Sequence, residues 1–277
     1  MQKLDRLGWA AGMAFTSFGV RIGVRTTDPS VLPEIEAALP PGWKPAKGAS
    51  VSHMFSVVAG GAGHGKGVRK MWIAYDGWVR TARAREPEPV MDALGSAIRM
   101  TVAEHAPKRI FVHAGCVAWR GKAILIPGRS FSGKTTLVSE LVKAGAIYYS
   151  DEYAVLDPRG LVHPFPAPLS VRESGEFVGT DRRPADFGGV AGSKPLPVGV
   201  VLVTSYKAGK EGARWRPRTL SAAEGALELL ANTVAARTRP EAALATLKAA
   251  THGAEILKGK RGEASETAAA LIARLEG

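Results

Sequence analysis

One short stretch constrains the fold of this chain more than any other feature of its sequence. Residues 128–135 read Gly-Arg-Ser-Phe-Ser-Gly-Lys-Thr and match the pattern G-x-x-x-x-G-K-[ST] at every fixed position. A loop that wraps a polyphosphate points successive backbone N–H groups inward, and Gly128 and Gly133 permit the backbone conformations and close approach that this requires. Residues 123–126 are typical of a buried strand and residues 134–144 of a helix. This strand, loop and helix order predicts a phosphate-binding loop.

The loop also predicts which ligands it binds. Lys134 would reach the β- and γ-phosphates of a nucleotide, Thr135 would offer its hydroxyl to Mg²⁺, and the N-terminal dipole of the helix would lie under the phosphates. We therefore predict ATP and Mg²⁺ as cofactors. The predicted nucleotide-binding residues are Gly128, Arg129, Ser130, Phe131, Ser132, Gly133, Lys134, Thr135 and Thr136. The alternative is a Gly/Ser-rich turn that binds nothing, and the flanking strand and helix argue against it.

Two acidic residues follow the loop at an informative distance. The spacing from Lys134 to Asp151 and Glu152 is what a helix of about three turns and a short return strand consume. A right-handed βαβ connection would bring the carboxyl end of that return strand beside the phosphate loop. We therefore predict Thr135, Asp151 and Glu152 as metal ligands, with the two acidic residues facing the transferring phosphoryl group. The alternative is an ordinary solvated turn.

A histidine and the single cysteine lie in the stretch that leads to the loop. Residues 109–126 read as two strands joined near residues 120–122, which places His113 at a strand end close to the loop. A site role competes there with a structural histidine, and its position before the loop favours the site. Cys116 lies in an apolar strand and is predicted to be a small buried residue. A single cysteine excludes a disulfide framework and fits a reducing compartment, so we expect the protein in the cytoplasm.

The part of the chain before the loop predicts a separate lobe. Its expected elements are strands at 15–26, 51–59, 68–75 and 78–82, and helices at 31–39 and 88–106. These elements indicate an α+β, antiparallel N-terminal lobe over residues 1–106, with a role in partner recognition. The nucleotide-binding domain then covers residues 107–277.

The rest of the predicted nucleotide-binding domain contains fewer sequence patterns that predict structure. Its expected elements are an extended stretch at 164–172, a mobile loop or lid at 173–192, a strand at 198–206, and helices at 221–236, 240–250 and 265–275. The first and last of these helices begin near serines that could cap them.

The net charge of +12 restricts the possible partners. Such a basic surface fits nucleic acid, anionic lipid or an acidic protein substrate. The arginines are scattered, and the basic clusters at 64–70 and 258–261 read as solvated loops. We therefore expect an anionic nucleotide and a peptide or protein substrate, which could be acidic, rather than nucleic acid. No apolar run is long enough to span a bilayer, so we predict no membrane span.

Three motifs together resemble a known family. His113-Ala-Gly, the phosphate loop and Ser150-Asp151-Glu152 are similar to motifs of the C-terminal catalytic domain of the HPr serine kinase/phosphorylase family. The likeness covers residues 107–175 and is closer to divergent relatives encoded near peptide-modifying genes, including lasso-peptide kinases. It implies an α/β, P-loop, HPr-kinase-like (PEP-carboxykinase-like) nucleotide-binding domain with a smaller α+β N-terminal lobe.

The resemblance also implies roles for individual residues. Asp151 would be the general base on the acceptor hydroxyl, His113 its neighbour, and Lys134 the cation on the phosphates. These three are the expected catalytic residues. The relatives form hexamers, which implies a homo-oligomer.

The chain departs from the family pattern at two places. Phe131 replaces the usual second glycine of the loop, and Ser170 stands where the family has a metal-binding Glu two residues before an Arg, here Arg172. A reversible phosphorylase activity is therefore not expected, although Glu173 or Glu176 could supply the missing carboxylate.

The function expected from the sequence is an ATP- and Mg²⁺-dependent kinase. It would transfer the γ-phosphoryl group to a hydroxyl, a serine of a protein or small peptide. The alternatives are a kinase for a small-molecule hydroxyl and a nucleotide-gated binding protein or ATPase without phosphotransfer. A nucleic-acid-dependent ATPase is a third rival, and it predicts stimulation by polynucleotides.

Overall fold

The structure is a computed structural model that describes residues 4–48, 50–62, 69–128, 132–171, 180–207 and 215–277. The chain divides into two compact units, Met1–Lys108 and Arg109–Gly277, whereas sequence analysis places the boundary after residue 106. Both units combine helices with mixed sheets, so the protein is of the α/β type. Among the described residues, no helix has both the length and the apolar character needed to cross a membrane.

The first unit contains eight strands and two α-helices among its described residues. The strands are β1 (Ala11–Ser17), β2 (Val20–Thr26), β3 (Lys44–Pro45), β4 (His53–Val58), β5 (Gly61–Ala62), β6 (Arg69–Lys70), β7 (Trp72–Asp76) and β8 (Val79–Ala84). The helices are α1 (Leu32–Ala37) and α2 (Glu88–His105), with short 3-10 helices at Leu4–Arg6 and Pro29–Val31.

One sheet dominates the first unit. Its strand order is β3-β1-β2-β4-β7-β8, and β5 pairs with β6 separately. Every neighbouring pair in the larger sheet is antiparallel except β2 with β4, which is parallel. The predicted antiparallel sheet is therefore wrong at one pair, because the segment containing α1 carries the chain back across the sheet before β4 begins.

The expected single strand at 15–26 is wrong, because the chain forms a hairpin there. Phe18 and Gly19 both have positive φ, 47° and 87°, as a two-residue hairpin turn requires. The inward side chains change from odd to even positions across this turn, with Phe15 and Ser17 buried on β1 and Val20 on β2. Phe18 lies in the turn but has the same parity as Val20 and Ile22 of β2, so the residues from 18 onward look like one continuous alternating strand in the sequence.

The core of the first unit lies between its sheet and α2. Four fully buried residues on α2 are spaced four apart, as the helical period requires: Val90, Leu94, Ile98 and Val102. Phe15 and Phe55 of the sheet are equally buried. The stripe explains why residues 88–105 form a helix that covers the sheet.

The second unit has ten strands and four α-helices among its described residues. The strands are β9 (Ile110–Trp119), β10 (Lys122–Pro127), β11 (Ile147–Ser150), β12 (Tyr153–Leu156), β13 (Val162–His163), β14 (Leu169–Val171), β15 (Thr180–Arg182), β16 (Val198–Tyr206), β17 (Arg218–Leu220) and β18 (Glu255–Arg261). The helices are α3 (Lys134–Lys143), α4 (Ala222–Leu230), α5 (Pro240–Thr251) and α6 (Ala264–Glu276), with 3-10 helices at Pro184–Phe187 and Val234–Ala236.

A mixed sheet forms the centre of the second unit. Its strand order is β13-β12-β9-β10-β16-β18-β17, with β11 paired to β9 beside β12. Strands β10, β16 and β18 are parallel to one another, so their carboxyl ends meet at one edge. Ile124 and Ile126 of β10 pack with α3 and α6, whereas Leu125 packs in the core that includes α4 and α5. The unit therefore has three layers, with helices on both faces of the sheet.

The predicted βαβ connection exists, with an additional strand inside it. Strands β10 and β11 are both antiparallel to β9 and lie on its two sides. They consequently run in the same direction, and their carboxyl ends share the edge at which the phosphate loop lies. The sequence indicated the shared edge but not the strand between them.

The C-terminal part of the second unit differs most from the secondary structure predicted for it. Strands β17 and β18 were not predicted, and residues 258–261, expected in a solvated loop, belong to β18. The helix expected at 221–236 ends at Leu230, although Ser221 caps it as predicted. The last helix begins at Ala264, and the residue at its cap position makes no side-chain cap bond.

The region expected to be a lid, 173–192, is described only from residue 180 onward. Arg172, Glu173 and Glu176 lie outside the described residues. Within the described part, Gly192 donates a backbone hydrogen bond of 2.7 Å to Tyr148 of β11, and Val190 accepts one of 2.9 Å from Tyr148. Residues 190 and 192 are therefore attached to the sheet, and the expected lid stays a prediction.

Candidate nucleotide site

The predicted phosphate loop connects a strand to a helix. β10 ends at Pro127, and α3 begins at Lys134. Gly133 precedes the helix with a φ of 78°, a left-handed conformation that favours glycine. A Cβ atom at Gly128 would lie 2.8 Å from Ser132 Oγ, so a larger residue there would displace the Ser132 side chain. Arg129, Ser130 and Phe131 lie outside the described residues.

Lys134 is buried at the first turn of α3. Only 8% of the residue is exposed, and its Nζ donates a hydrogen bond of 2.7 Å to the carbonyl oxygen of Gly128. The side chain therefore bends back over the loop. Burial lowers the pKa of Lys134, and the negative charge of Asp151 acts in the opposite direction. A desolvated ammonium group at this place could exchange the carbonyl oxygen for a phosphate oxygen.

Thr135 and Asp151 are in direct contact. The Thr135 hydroxyl donates a hydrogen bond of 2.8 Å to Asp151 Oδ2 across 16 residues of sequence. This bond joins the first turn of α3 to the turn that follows β11. Two of the three side chains predicted to hold Mg²⁺ are therefore neighbours.

Ser150 fixes the turn that carries the two acidic residues. This serine is buried, and its Oγ accepts hydrogen bonds from the backbone N–H groups of Glu152 at 3.1 Å and Tyr153 at 2.9 Å. The carbonyl oxygen of Glu152 accepts a bond of 3.2 Å from Ala114 of β9. The serine of the Ser-Asp-Glu motif thus holds the turn in place, a role that sequence analysis missed.

Thr136 is placed less favourably for ligand binding than its neighbours in the loop motif. It follows Thr135 on α3, and its side chain is exposed. Its carbonyl oxygen accepts a hydrogen bond of 2.8 Å from Ser139 Oγ within the helix. The structure therefore gives Thr136 a contact within the helix and no described contact with Asp151.

His113 lies beside the loop but within a strand, so the expected strand-end position is wrong. It is the fourth residue of β9, opposite Tyr153 of β12, with 6.0 Å between the ring centroids. Its carbonyl oxygen accepts a 3.4 Å hydrogen bond from the Gly128 N–H. Burial and then the positive charge of Lys134 lower the pKa of His113 from 6.5 to about 4. The imidazole is therefore neutral at physiological pH, and its unprotonated nitrogen can accept a hydrogen bond.

Gly115 has a packing role in the His-Ala-Gly motif. A Cβ atom at this position would lie 2.5 Å from Val138 Cγ2 of α3. The absence of a side chain allows α3 to approach β9 closely, which brings Lys134 near His113. Cys116 follows on the same strand and is fully buried, and burial raises the pKa of its thiol. A buried thiol of this kind is a poor nucleophile, as expected.

Arg261 is a residue of this region that sequence analysis missed. It ends β18 and is 3% exposed. Its Nη2 donates a hydrogen bond of 2.9 Å to the carbonyl oxygen of Gly133, and its Nη1 donates one of 3.0 Å to Gly262. The guanidinium also lies over the ring of Tyr206, 5.4 Å from its centroid. Because β10 and β18 are parallel strands of one sheet, the end of β18 lies at the edge that carries the loop.

The oxygen atoms of the site suit Mg²⁺ held together with phosphates. Thr135 supplies a hydroxyl, and Asp151 a carboxylate, which are hard oxygen donors. Among the described residues, no group of three or more His, Cys, Asp or Glu side chains could hold a metal ion by itself. Mg²⁺ usually takes one or two carboxylates and completes its shell with substrate phosphates and water, so the two side chains fit this ion.

Comparison with known proteins adds nothing to the geometry. No protein-family model matches the chain, and no curated protein matches it significantly. The functional interpretation therefore rests on the residues that the fold brings together around the loop, above all Lys134, Thr135 and Asp151.

Proposed function

We propose that this protein is an ATP- and Mg²⁺-dependent kinase that transfers the γ-phosphoryl group to a hydroxyl, a serine of a protein or small peptide. The observation that carries the proposal is the 2.8 Å hydrogen bond between Thr135 Oγ1 and Asp151 Oδ2 at the end of a phosphate-loop motif. We further propose that the second unit has the P-loop, HPr-kinase-like (PEP-carboxykinase-like) fold. The mixed sheet with helices on both faces supports this assignment.

Lys134 and the loop would bind the phosphates. The Lys134 Nζ now donates to the Gly128 carbonyl, and a phosphate oxygen would take over that donor. Because Lys134 is largely excluded from water, its charge interacts with the phosphates more strongly than an exposed lysine would. The backbone N–H groups at the start of α3 add the favourable end of the helix dipole.

Asp151 would act on the acceptor. Its carboxylate accepts the hydroxyl proton while the hydroxyl oxygen forms a bond to the γ-phosphorus. The bond between the γ-phosphorus and the bridging oxygen breaks, and its electron pair leaves with ADP. When bound, Mg²⁺ would neutralise negative charge on the phosphates, and Thr135 and Asp151, with Glu152 beside them, are the residues that would hold it. His113, neutral at physiological pH, would lie beside Lys134 and could orient the acceptor.

The first unit would recognise the partner that carries the acceptor. Two observations support this role. The first unit has a core of its own, and Trp78 at the tip of the hairpin between β7 and β8 is 70% exposed. Exposed tryptophans are common anchors in protein interfaces. A Trp78→Ala variant should lose transfer to a macromolecular acceptor and keep nucleotide binding.

Transfer of labelled γ-phosphate tests the proposal. The purified protein is incubated with Mg²⁺ and γ-labelled ATP, with serine-containing peptides, with small hydroxyl compounds, and without acceptor. The kinase proposal predicts acceptor-dependent labelling that Lys134→Ala abolishes while the fold remains intact. Release of labelled phosphate that no acceptor changes would instead favour an ATPase or nucleotide-gated binding protein. If the folded parent neither binds nor uses ATP, the proposal is wrong.

A further inference from the structure

Arg261 is a buried cation that makes no direct ion pair with a carboxylate among the described residues. The residue is 3% exposed, and two of its nitrogens donate to backbone carbonyl oxygens. Its Nε is buried and has no hydrogen-bond partner among the described residues. Within the same residues, no carboxylate forms an ion pair with it at 4.0 Å or less. Glu263, a nearby acid, is exposed and accepts the Tyr206 hydroxyl at 2.9 Å.

Stability alone does not explain such a residue. Removing a guanidinium from water costs free energy that backbone carbonyls return only in part. An apolar side chain of similar size at such a position is often neutral or stabilising. Burial lowers the pKa of Arg261, and the negative charge of the exposed Glu263 acts in the opposite direction. A residue that is unfavourable for stability and is nevertheless fully enclosed points to a ligand that compensates its charge.

The position of Arg261 identifies that ligand as an anion at the phosphate loop. The carbonyl oxygen of Gly133 accepts both the Arg261 Nη2 and the N–H of Leu137 at 3.2 Å, so Arg261 is attached to the N-terminus of α3. The next residue, Lys134, is the other buried cation of the site. In a trans peptide the carbonyl of Gly133 and the N–H of Lys134 point in opposite directions. By holding that carbonyl, Arg261 aims the N–H away from β18.

We propose that Arg261 is a positioning residue of a triphosphate-binding site, which fixes the junction of loop and helix and adds a second positive charge behind it. The proposal rests on the function proposed above and extends the site to β18. The ligand class is a triphosphate, whether inorganic or part of a nucleotide, because Arg261 acts on the phosphates and not on a base. The proposal predicts that Arg261 contributes to the affinity for triphosphate and not to the stability of the folded protein.

The test compares four proteins: the parent, Arg261→Met, Arg261→Lys and the control Lys260→Met. Lys260 is the exposed neighbour on β18, so its variant removes one positive charge without touching the loop. Calorimetry measures binding of inorganic tripolyphosphate and of MgATP, and circular dichroism measures the thermal midpoint. We expect Arg261→Met to weaken both ligands by the same factor, about ten- to a hundredfold. Arg261→Lys should restore part of the affinity, and Lys260→Met should change it by less than about threefold.

The thermal midpoint separates a positioning role from a structural one. We expect Arg261→Met to melt at the parental temperature or above it. A variant that binds tripolyphosphate as the parent does, or one that is strongly destabilised, would overturn the proposal. If Arg261→Met binds tripolyphosphate more weakly than the parent but the parent transfers no phosphate, the kinase proposal fails and the proposal for Arg261 stands. If phosphoryl transfer by Arg261→Met depends on MgATP concentration as it does in the parent, the proposal for Arg261 fails and the kinase proposal stands.

Discussion

The hydroxyl of Thr135 and the carboxylate of Asp151 share a hydrogen bond of 2.8 Å. It connects the first turn of α3 to the turn after β11, two segments that meet only because β10 and β11 run in the same direction on either side of β9. The contact gathers the hydroxyl, the carboxylate and the neighbouring Lys134 at one edge of the sheet.

Replacing Thr135 by valine should change the dependence on Mg²⁺ more than the binding of phosphate itself. Valine keeps the shape of the side chain but removes the hydroxyl that donates to Asp151 and would bind the metal. We expect MgATP to bind about tenfold more weakly, whereas tripolyphosphate without Mg²⁺ binds as it does to the parent. Thr135→Ser is the matched control and should restore the Mg²⁺ effect. Equal losses with and without Mg²⁺ would contradict a metal role for Thr135.

The lowered pKa of His113 predicts that the protein loses stability in weak acid. Its folded pKa of about 4 lies below its ordinary value of 6.5, so the unfolded chain takes up the proton first as the pH falls. The stability from this residue is therefore complete above pH 6.5 and is lost as the pH falls from 6.5 towards 4. Urea unfolding at several pH values should show a shallower loss for His113→Gln than for the parent.

A single methyl group at Gly115 should disturb the site from within the core. The Cβ of alanine would lie 2.5 Å from Val138 Cγ2, so α3 or β9 must move. Overpacking of this kind costs about 1–3 kcal/mol in the free energy of unfolding. Val138→Ala removes the opposing methyl groups, so the double variant should lose less stability than the two single variants together. Additive losses in urea unfolding would show that the contact does not limit the approach of α3.

The parts of the site that the sequence predicted are local in the chain. The strand before Gly128 and the helix after Lys134 follow from hydrophobic periodicity and the glycines of the loop. The helix predicted at 88–106 and the strand predicted at 198–206 were also confirmed, as α2 and β16. Each depends on residues that are close together in sequence.

The parts that the sequence did not predict depend on distant pairing. β18 carries two lysines, a glycine and an arginine among its seven residues, so its composition does not indicate a strand. It becomes one because it pairs with β16 on one side and β17 on the other. Arg261 reaches Gly133 across 128 residues only through that pairing. The insertion of β9 between β10 and β11 is likewise a property of the whole sheet.

The most direct test of the proposed kinase measures MgATP affinity and phosphoryl transfer on the same preparation of Asp151→Asn. Asparagine can still accept the Thr135 hydrogen bond through its side-chain oxygen, but it cannot take a proton from an attacking hydroxyl. We predict that MgATP affinity stays within a few fold of the parent, while transfer falls by roughly two to four orders of magnitude. A loss confined to affinity would leave Asp151 as a metal ligand only, and an unchanged transfer rate would contradict the proposed mechanism.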